Sequence, residues 1–264
     1  VWRLEAAKLH RQARVQAVLA VCLLAPFLLL VAVKVQGTLP SDTLFGQWLH
    51  TSGFALPMVM VAFLSQWVLP LIAAVIVGDT FSSEDHFGTW KTVLTRSRTR
   101  GQLYTGKVLA AFGYTVAALV LLAGASLAAG VLLGTQPVVG LTGQPVGAGT
   151  ATRLVLASWA TELPPLLGFA GLAVLLSILS RHSVVGIGLP VLIAVAMALS
   201  SLLDLPGWLR AALLTTPLQA WHGLWVQDRF YGPLREGLIT SGAWLVASLA
   251  VSWFVFRRRS FAVT

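Results

Sequence analysis

Six stretches of the chain are apolar over enough residues to cross a bilayer as helices. A hydrocarbon core about 30 Å thick needs roughly 20 helical residues. The six are Val15–Val33, Leu56–Val77, Val108–Leu133, Leu154–Leu179, Val184–Leu203 and Leu238–Phe256. The first follows Arg3, Lys8, Arg11 and Arg14, as a signal peptide's apolar region does. It is too long for one, and no small-x-small cleavage site precedes Lys34, so it reads as a retained span. The connecting segments differ in kind. Residues 1–14 alternate basic positions with Leu4, Leu9 and Ala13, which predicts an amphipathic helix at the membrane interface. Residues 135–150 are uncharged and rich in Gly, Pro and Thr, a loop composition, whereas only Arg181-His182 separates spans four and five. Residues 204–236 hold two short apolar pieces, "GWLRAALL" and "QAWHGLWV", divided by Pro206, Pro217 and Pro233. Neither can cross. With Trp208, Trp221 and Trp225 suited to the headgroup level, they predict an outer hairpin of surface or re-entrant helices. No internal repeat is present.

Composition supports the membrane reading. Of 264 residues, 57% are hydrophobic and 10% charged, whereas a soluble domain carries about 25% charged residues. The expected architecture is one all-α polytopic membrane domain over residues 1–264. The net charge of +9 would suggest nucleic acid on a soluble protein. Here the basic residues segregate: Arg3, Lys8, Arg11, Arg14, Lys91, Arg96, Arg98, Arg100, Lys107, Arg181 and Arg257 to Arg259 fall on one side. The other side keeps Lys34, Arg153, Arg210, Arg229 and Arg235. By the positive-inside rule both termini are cytoplasmic, in a multi-pass protein of the plasma (cell inner) membrane, with lipids rather than nucleic acid as its surroundings. Cys22 is the one cysteine and the five histidines are scattered, so no metal site is expected.

"GQLYTGKV" (101–108) nearly spells a phosphate-binding loop, but Val108 occupies the hydroxyl position and an apolar span follows at once. More information lies just upstream, in Gly78 to Lys107. Ser82 or Ser83 can cap a helix with Glu84 and Asp85 in its first turn. Phe87, Trp90, Val93 and Leu94 then recur on one apolar face. Arg96, Arg98 and Arg100 form a basic exit, and Lys107 stands at the membrane edge as an anchor.

The order Glu84, Gly88-Thr89, apolar turn, Arg100, Lys107 resembles the loop between the second and third spans of ABC-2-type exporter permeases. The family's usual proline three positions before the arginine is Ser97 here. The resemblance implies that residues 79–107 form a coupling segment, with a helix that docks into an ATP-hydrolysing subunit. Glu84, Gly88, Thr89, Trp90, Val93, Leu94, Arg96, Arg98 and Arg100 would carry that contact. It also implies a chain with no catalytic residue or cofactor of its own, ATP and Mg being held by partner ABC ATPase subunits. A second permease subunit, identical or related, would complete the channel. The apolar spans carry no selective polar constellation, so a drug, an antimicrobial peptide or a lipid-like molecule is the expected substrate. An intramembrane lipid-modifying transferase or hydrolase is the alternative, and it lacks G-x-S-x-G, H-E-x-x-H or clustered intramembrane acids.

Two further polar positions qualify as a substrate path. Glu162 in "WATELPPLLG" is the one acid inside an apolar stretch, and Gln66 lies in span two. For Glu162 a second reading is open: Pro164-Pro165 mark the true start of span four, leaving Glu162 on an outer-face helix. Gly130 and Gly134 form a G-x-x-x-G suited to close helix packing, including at a dimer interface.

Overall fold

The computed structural model describes residues 1–36, 49, 51–90, 99–200 and 202–259. It is an all-α polytopic membrane protein, with six helical spans by length and composition. Helix α1 covers Trp2–His10 and α2 Ala13–Gln36; α3 is Ala55–Val77, and α4 is the short Ser82–His86. Helix α5 runs Arg100–Leu133, then come β1 (Val138–Val139), β2 (Pro145–Val146), α6 (Ala148–Thr161), α7 (Leu163–Ser180) and α8 (Ser183–Ser200). Helix α9 (Gly207–Ala212), a 3-10 segment (Pro217–Leu224) and α10 (Gly232–Arg258) complete the order. The described ends of the chain meet on one face, the termini face, and β1, β2, α6 and the 3-10 segment lie at the opposite, far face.

The third span begins earlier than its apolar run. Thr99 accepts a hydrogen bond from the Gln102 backbone at 3.2 Å while the Gln102 side chain returns to the Thr99 N–H at 3.4 Å. This capping box satisfies two orphan donors, so the polar residues 100–107 form the helix's first two turns. The 34-residue helix is about 50 Å long and overhangs a bilayer core at the termini face. Gly101, Gly106 and Lys107 of the phosphate-loop look-alike are therefore helical, which leaves no open loop at these residues to cradle an anion.

The fourth span is two helices meeting at Glu162. Pro164 and Pro165 lack amide hydrogens, and Pro fits the first turn of a new helix better than the interior of an old one. Alone, the 18 residues of α7 reach about 27 Å. Helix α7 is therefore close to long enough to cross a bilayer core without α6. Pro164-Pro165 thus open the second helix of this span, while Glu162 lies buried at the joint rather than out on a wet helix. Chain direction then reverses through Arg181, whose φ of 56° is in the left-handed region that ends many helices.

The expected Trp level needs correcting for two residues. Trp208 is 75% exposed, but Trp221 and Trp225 are fully buried, and the Trp225 indole donates to the Ser158 hydroxyl at 2.9 Å. The 3-10 segment packs across α3, α6 and α10 as a lid of protein on the far face. Residues 138–146 form a small antiparallel pair, Val138 opposite Val146, within what composition marks as loop.

Glycines set two close approaches. A Cβ on Gly53 would collide with the carbonyls of Gly130 and Gly134, so this G-x-x-x-G is engaged inside one chain. Likewise, Gly78 and Gly186 bring the end of α3 against the start of α8, each blocking a Cβ on the other. Substituting Gly186 by Ala should cost about 1–3 kcal/mol through overpacking. By contrast, Gly113→Ala, where nothing lies within 4 Å, should leave stability equal or slightly raised. Thermal unfolding of the two variants in mild detergent checks the contrast.

Candidate functional site

The termini face holds every ion pair among the described residues. At its centre is Lys107, two turns into α5. Its ammonium lies 2.9 Å from Glu84 Oε1, 3.0 Å from Glu5 Oε2 and 3.3 Å from the Thr80 carbonyl. Lys107 and Glu84 are 1% and 2% exposed. Lys8 on α1 also pairs with Glu84, and the Thr89 hydroxyl donates to the other carboxylate oxygen. Two acids and two lysines thus close a neutral set in which no charge is left without a partner, the condition under which buried ions are tolerable. Burial alone pushes the Glu84 carboxyl up. The Lys107 charge and the hydrogen bonds from Lys8, Thr89 and Lys107 outweigh it and hold the group at about 2, below its ordinary 4.5.

Two more pairs flank this centre. Asp79 takes Arg14 at 2.8 Å, at the start of α2. Asp85 takes Arg259 at 2.8 Å and the Trp90 indole N–H at 2.9 Å. Each acid of the 79–85 stretch is therefore fastened to a different part of the chain: Asp79 to the first span, Glu84 to α1 and the third span, Asp85 to the end of the sixth. Arg100 adds a tie of the same kind, donating to the carbonyls of Arg257 at 2.7 Å and Arg259 at 2.9 Å. Beneath these bonds, Trp90, Phe81, Tyr104 and Phe256 pack ring against ring with centroids 5.5–6.4 Å apart. Lys107 lies 5.9 Å and 6.0 Å from the Trp90 and Phe81 centroids, within cation–π reach.

Helix α4 has no side-chain cap from Ser82 or Ser83. Instead Ser177 of α7 accepts the Phe81 and Ser82 backbone N–H groups, both at 3.1 Å. The helix stops after His86, and Gly88 adopts φ +63°, a turn that a side chain would resist. Among the described residues of this segment, what projects is His86, Phe87 and Gly88. Phe87 is 73% exposed with the His86 ring edge-on to it at 5.0 Å. Beside this knuckle opens a cavity of about 540 Å³ lined by Lys8, Arg14, Asp79, Glu84, Phe87 and Thr89.

The structure therefore brings together Glu84, Thr89, Trp90 and Lys107, and it leaves Gly88 at the exposed turn. Trp90 is 5% exposed and faces this chain's own aromatic cluster rather than outward. Lys107, read from sequence as a membrane-edge anchor, lies buried between two carboxylates. Val93, Leu94, Arg96 and Arg98 lie outside the described residues. Sequence reasoning missed Glu5, Lys8, Arg14, Asp79, Asp85 and Arg259 as partners. The signal was present: Glu5 is the lone acid in a basic stretch, and Asp79, Glu84 and Asp85 are the only acids between spans two and three. Glu162 and Gln66 belong elsewhere. Glu162 is fully buried at the far-face joint, and Gln66 is half-buried on α3.

A family model described as "ABC-2 family transporter protein" matches residues 2–197. This covers α1, the ion-paired residues 79–90 and nearly all of the first five spans. The chain belongs to that family. It is a membrane component of an ABC transporter, a permease rather than an enzyme. Among curated proteins none matches the chain.

Lys107→Met removes the cation shared by two buried carboxylates and should cost about 3–5 kcal/mol. Adding Glu84→Gln should restore part of the loss, a non-additivity that a double-mutant cycle on thermal unfolding measures. Because Glu84 is held at about 2 against an ordinary 4.5, its contribution is complete above the upper value and is lost as pH falls toward the lower one. Acid unfolding of Glu84→Gln should lack that portion of the pH dependence.

Proposed function

We propose that this chain is the translocation subunit of an ATP-driven exporter, working with separately encoded ATPase subunits that hold ATP and Mg. The observation that carries the reading is the Phe87 knuckle: an exposed aromatic at a glycine turn, on a segment whose every acid is fastened to a different span. An apolar knob of this kind suits a groove on a partner protein. Positive-inside asymmetry supports a cytoplasmic termini face in the plasma membrane, which is where an ATPase would meet it.

Binding of ATP draws the partner subunits together and displaces the knuckle. Through Asp79 the movement reaches α2, through Glu84 and Lys107 it reaches α1 and α5, and through Asp85 and Arg259 it reaches α10. Trp90 transmits the force by packing under the segment, while Phe87 makes the contact. A second permease chain, identical or related, supplies the other half of the channel, and α3 with Gln66 lines the path. The far-face lid shapes the exit. Drugs, antimicrobial peptides and lipid-like molecules are the substrate classes that apolar spans of this kind accommodate.

Purification in mild detergent with an ATPase assay tests the reading. A stoichiometric P-loop ATPase should copurify, and its repeated absence would refute the proposal. Phe87→Ala should leave membrane insertion and thermal stability unchanged while lowering permease-stimulated ATP hydrolysis several-fold. Trp90→Ala should lower both stimulation and stability, because its indole is part of the segment's own support.

A further inference from the structure

Among the described residues, five buried side-chain polar atoms lack a hydrogen-bond partner: both carboxyl oxygens of Glu162, the indole nitrogens of Trp159 and Trp221, and the Ser241 hydroxyl. All belong to one assembly. Trp159 is on α6, Glu162 at the α6–α7 joint, Trp221 on the 3-10 segment and Ser241 on α10; both α6 and α10 pack on the 3-10 segment and on α7. The unmet groups are complementary, since three can donate and Glu162 can accept.

No ionic neighbour accounts for Glu162. Helices α3, α7 and α8 carry no Lys, Arg, His, Asp or Glu. Arg153 on α6, His222 on the 3-10 segment, and Arg235 and Glu236 on α10 are all exposed. The titratable groups of α5 sit toward the termini face, where Lys107 meets Glu84, Tyr104 meets Ser252 and Tyr114 meets the Ala6 carbonyl. An ionised carboxylate sealed without a cation or a donor is far costlier than a neutral carboxyl.

The joint also has room to move. A cavity of about 290 Å³ lies against it, lined by Thr161, Pro164, Pro165, Pro217, Ala220 and Gly237 among others. Its walls are mostly apolar, and the two prolines leave fewer backbone hydrogen bonds to break when α6 tilts on α7.

We propose that Glu162 is a proton-binding site at the far face. The carboxyl is neutral while the joint is sealed. When the joint opens toward the adjoining cavity, the O–H bond breaks, the proton passes to water, and the carboxylate is hydrogen-bonded by water. Opening of the far face is thereby favoured by alkaline conditions and sealing by acid. The inference stands on the far-face geometry alone and holds whatever drives the termini face.

Infrared difference spectra of the full chain in proteoliposomes, wild type against Glu162→Gln, test the protonation state. At neutral pH the wild type should show a protonated-carboxyl C=O band that the variant loses, and alkaline conditions should convert that band to carboxylate bands. Carboxylate bands alone at neutral pH would overturn the proposal. Glu162→Asp, which should keep a protonated band at shifted frequency, separates loss of the group from misfolding. For the opening, Thr161→Cys in a Cys22→Ser background is labelled with a water-soluble thiol reagent, with and without Glu162→Gln. Labelling should rise several-fold more with pH when Glu162 is present. Equal pH responses in the two backgrounds would remove Glu162 from control of the joint.

Discussion

The contact between Lys107 and Glu84 is the constraint around which the termini face is built. A lysine two turns into a membrane helix cannot be buried alone, and a carboxylate at 2% exposure cannot either. Each needs the other, and both need more than one partner. That requirement recruits Glu5 and Lys8 from α1 and Thr89 from the turn. Buried ion pairs are weak sources of net stability, since desolvation offsets most of the attraction. Their value lies in selectivity of arrangement: the observed placement of α1 and of residues 79–90 gives all four charges a partner.

This arrangement assigns different work to neighbouring residues. Trp90 faces inward to its aromatic cluster and to Asp85, whereas Phe87, three residues earlier, faces out past a left-handed glycine. Support and the proposed contact are thus separated along a few residues. In the proposed docking, a partner touching Phe87 would push on a stretch tied by side chains to α2, α5 and α10, so its displacement would be felt at all three.

Much of the fold was legible from hydrophobic length. The six spans follow from apolar runs because the bilayer permits few alternatives to a helix. Polar extensions were harder to see: α5 starts at Arg100 because Thr99 and Gln102 cap it, and a hydropathy pattern does not register a cap. The Glu84 to Lys107 order was visible as a family-like motif, but its physical meaning was not. Which acid meets which lysine depends on α1 folding back under the bundle, a contact between residues 102 positions apart. Similarly, Trp221 and Trp225 look like headgroup residues by type, and only the packing of the 3-10 segment over α3, α6 and α10 buries them. Gly130 and Gly134 signalled a close contact without naming Gly53 as its other side.

The spans differ in stiffness. Helices α2, α3 and α8 contain Pro26, Pro70 and Pro190 in their interiors, and the fourth span is jointed at Glu162. Helix α5 has no proline, and α10 has one only in its first turn. These two are bonded near the termini face, Arg100 to the last carbonyls of α10 and the Tyr104 hydroxyl to Ser252 at 2.6 Å and to the Leu249 carbonyl at 3.1 Å. In mechanical terms they form a pair of struts clamped at one end. A rotation imposed at the clamp arrives at the far face with its angle preserved, and bending is left to the four spans that carry a proline or a joint.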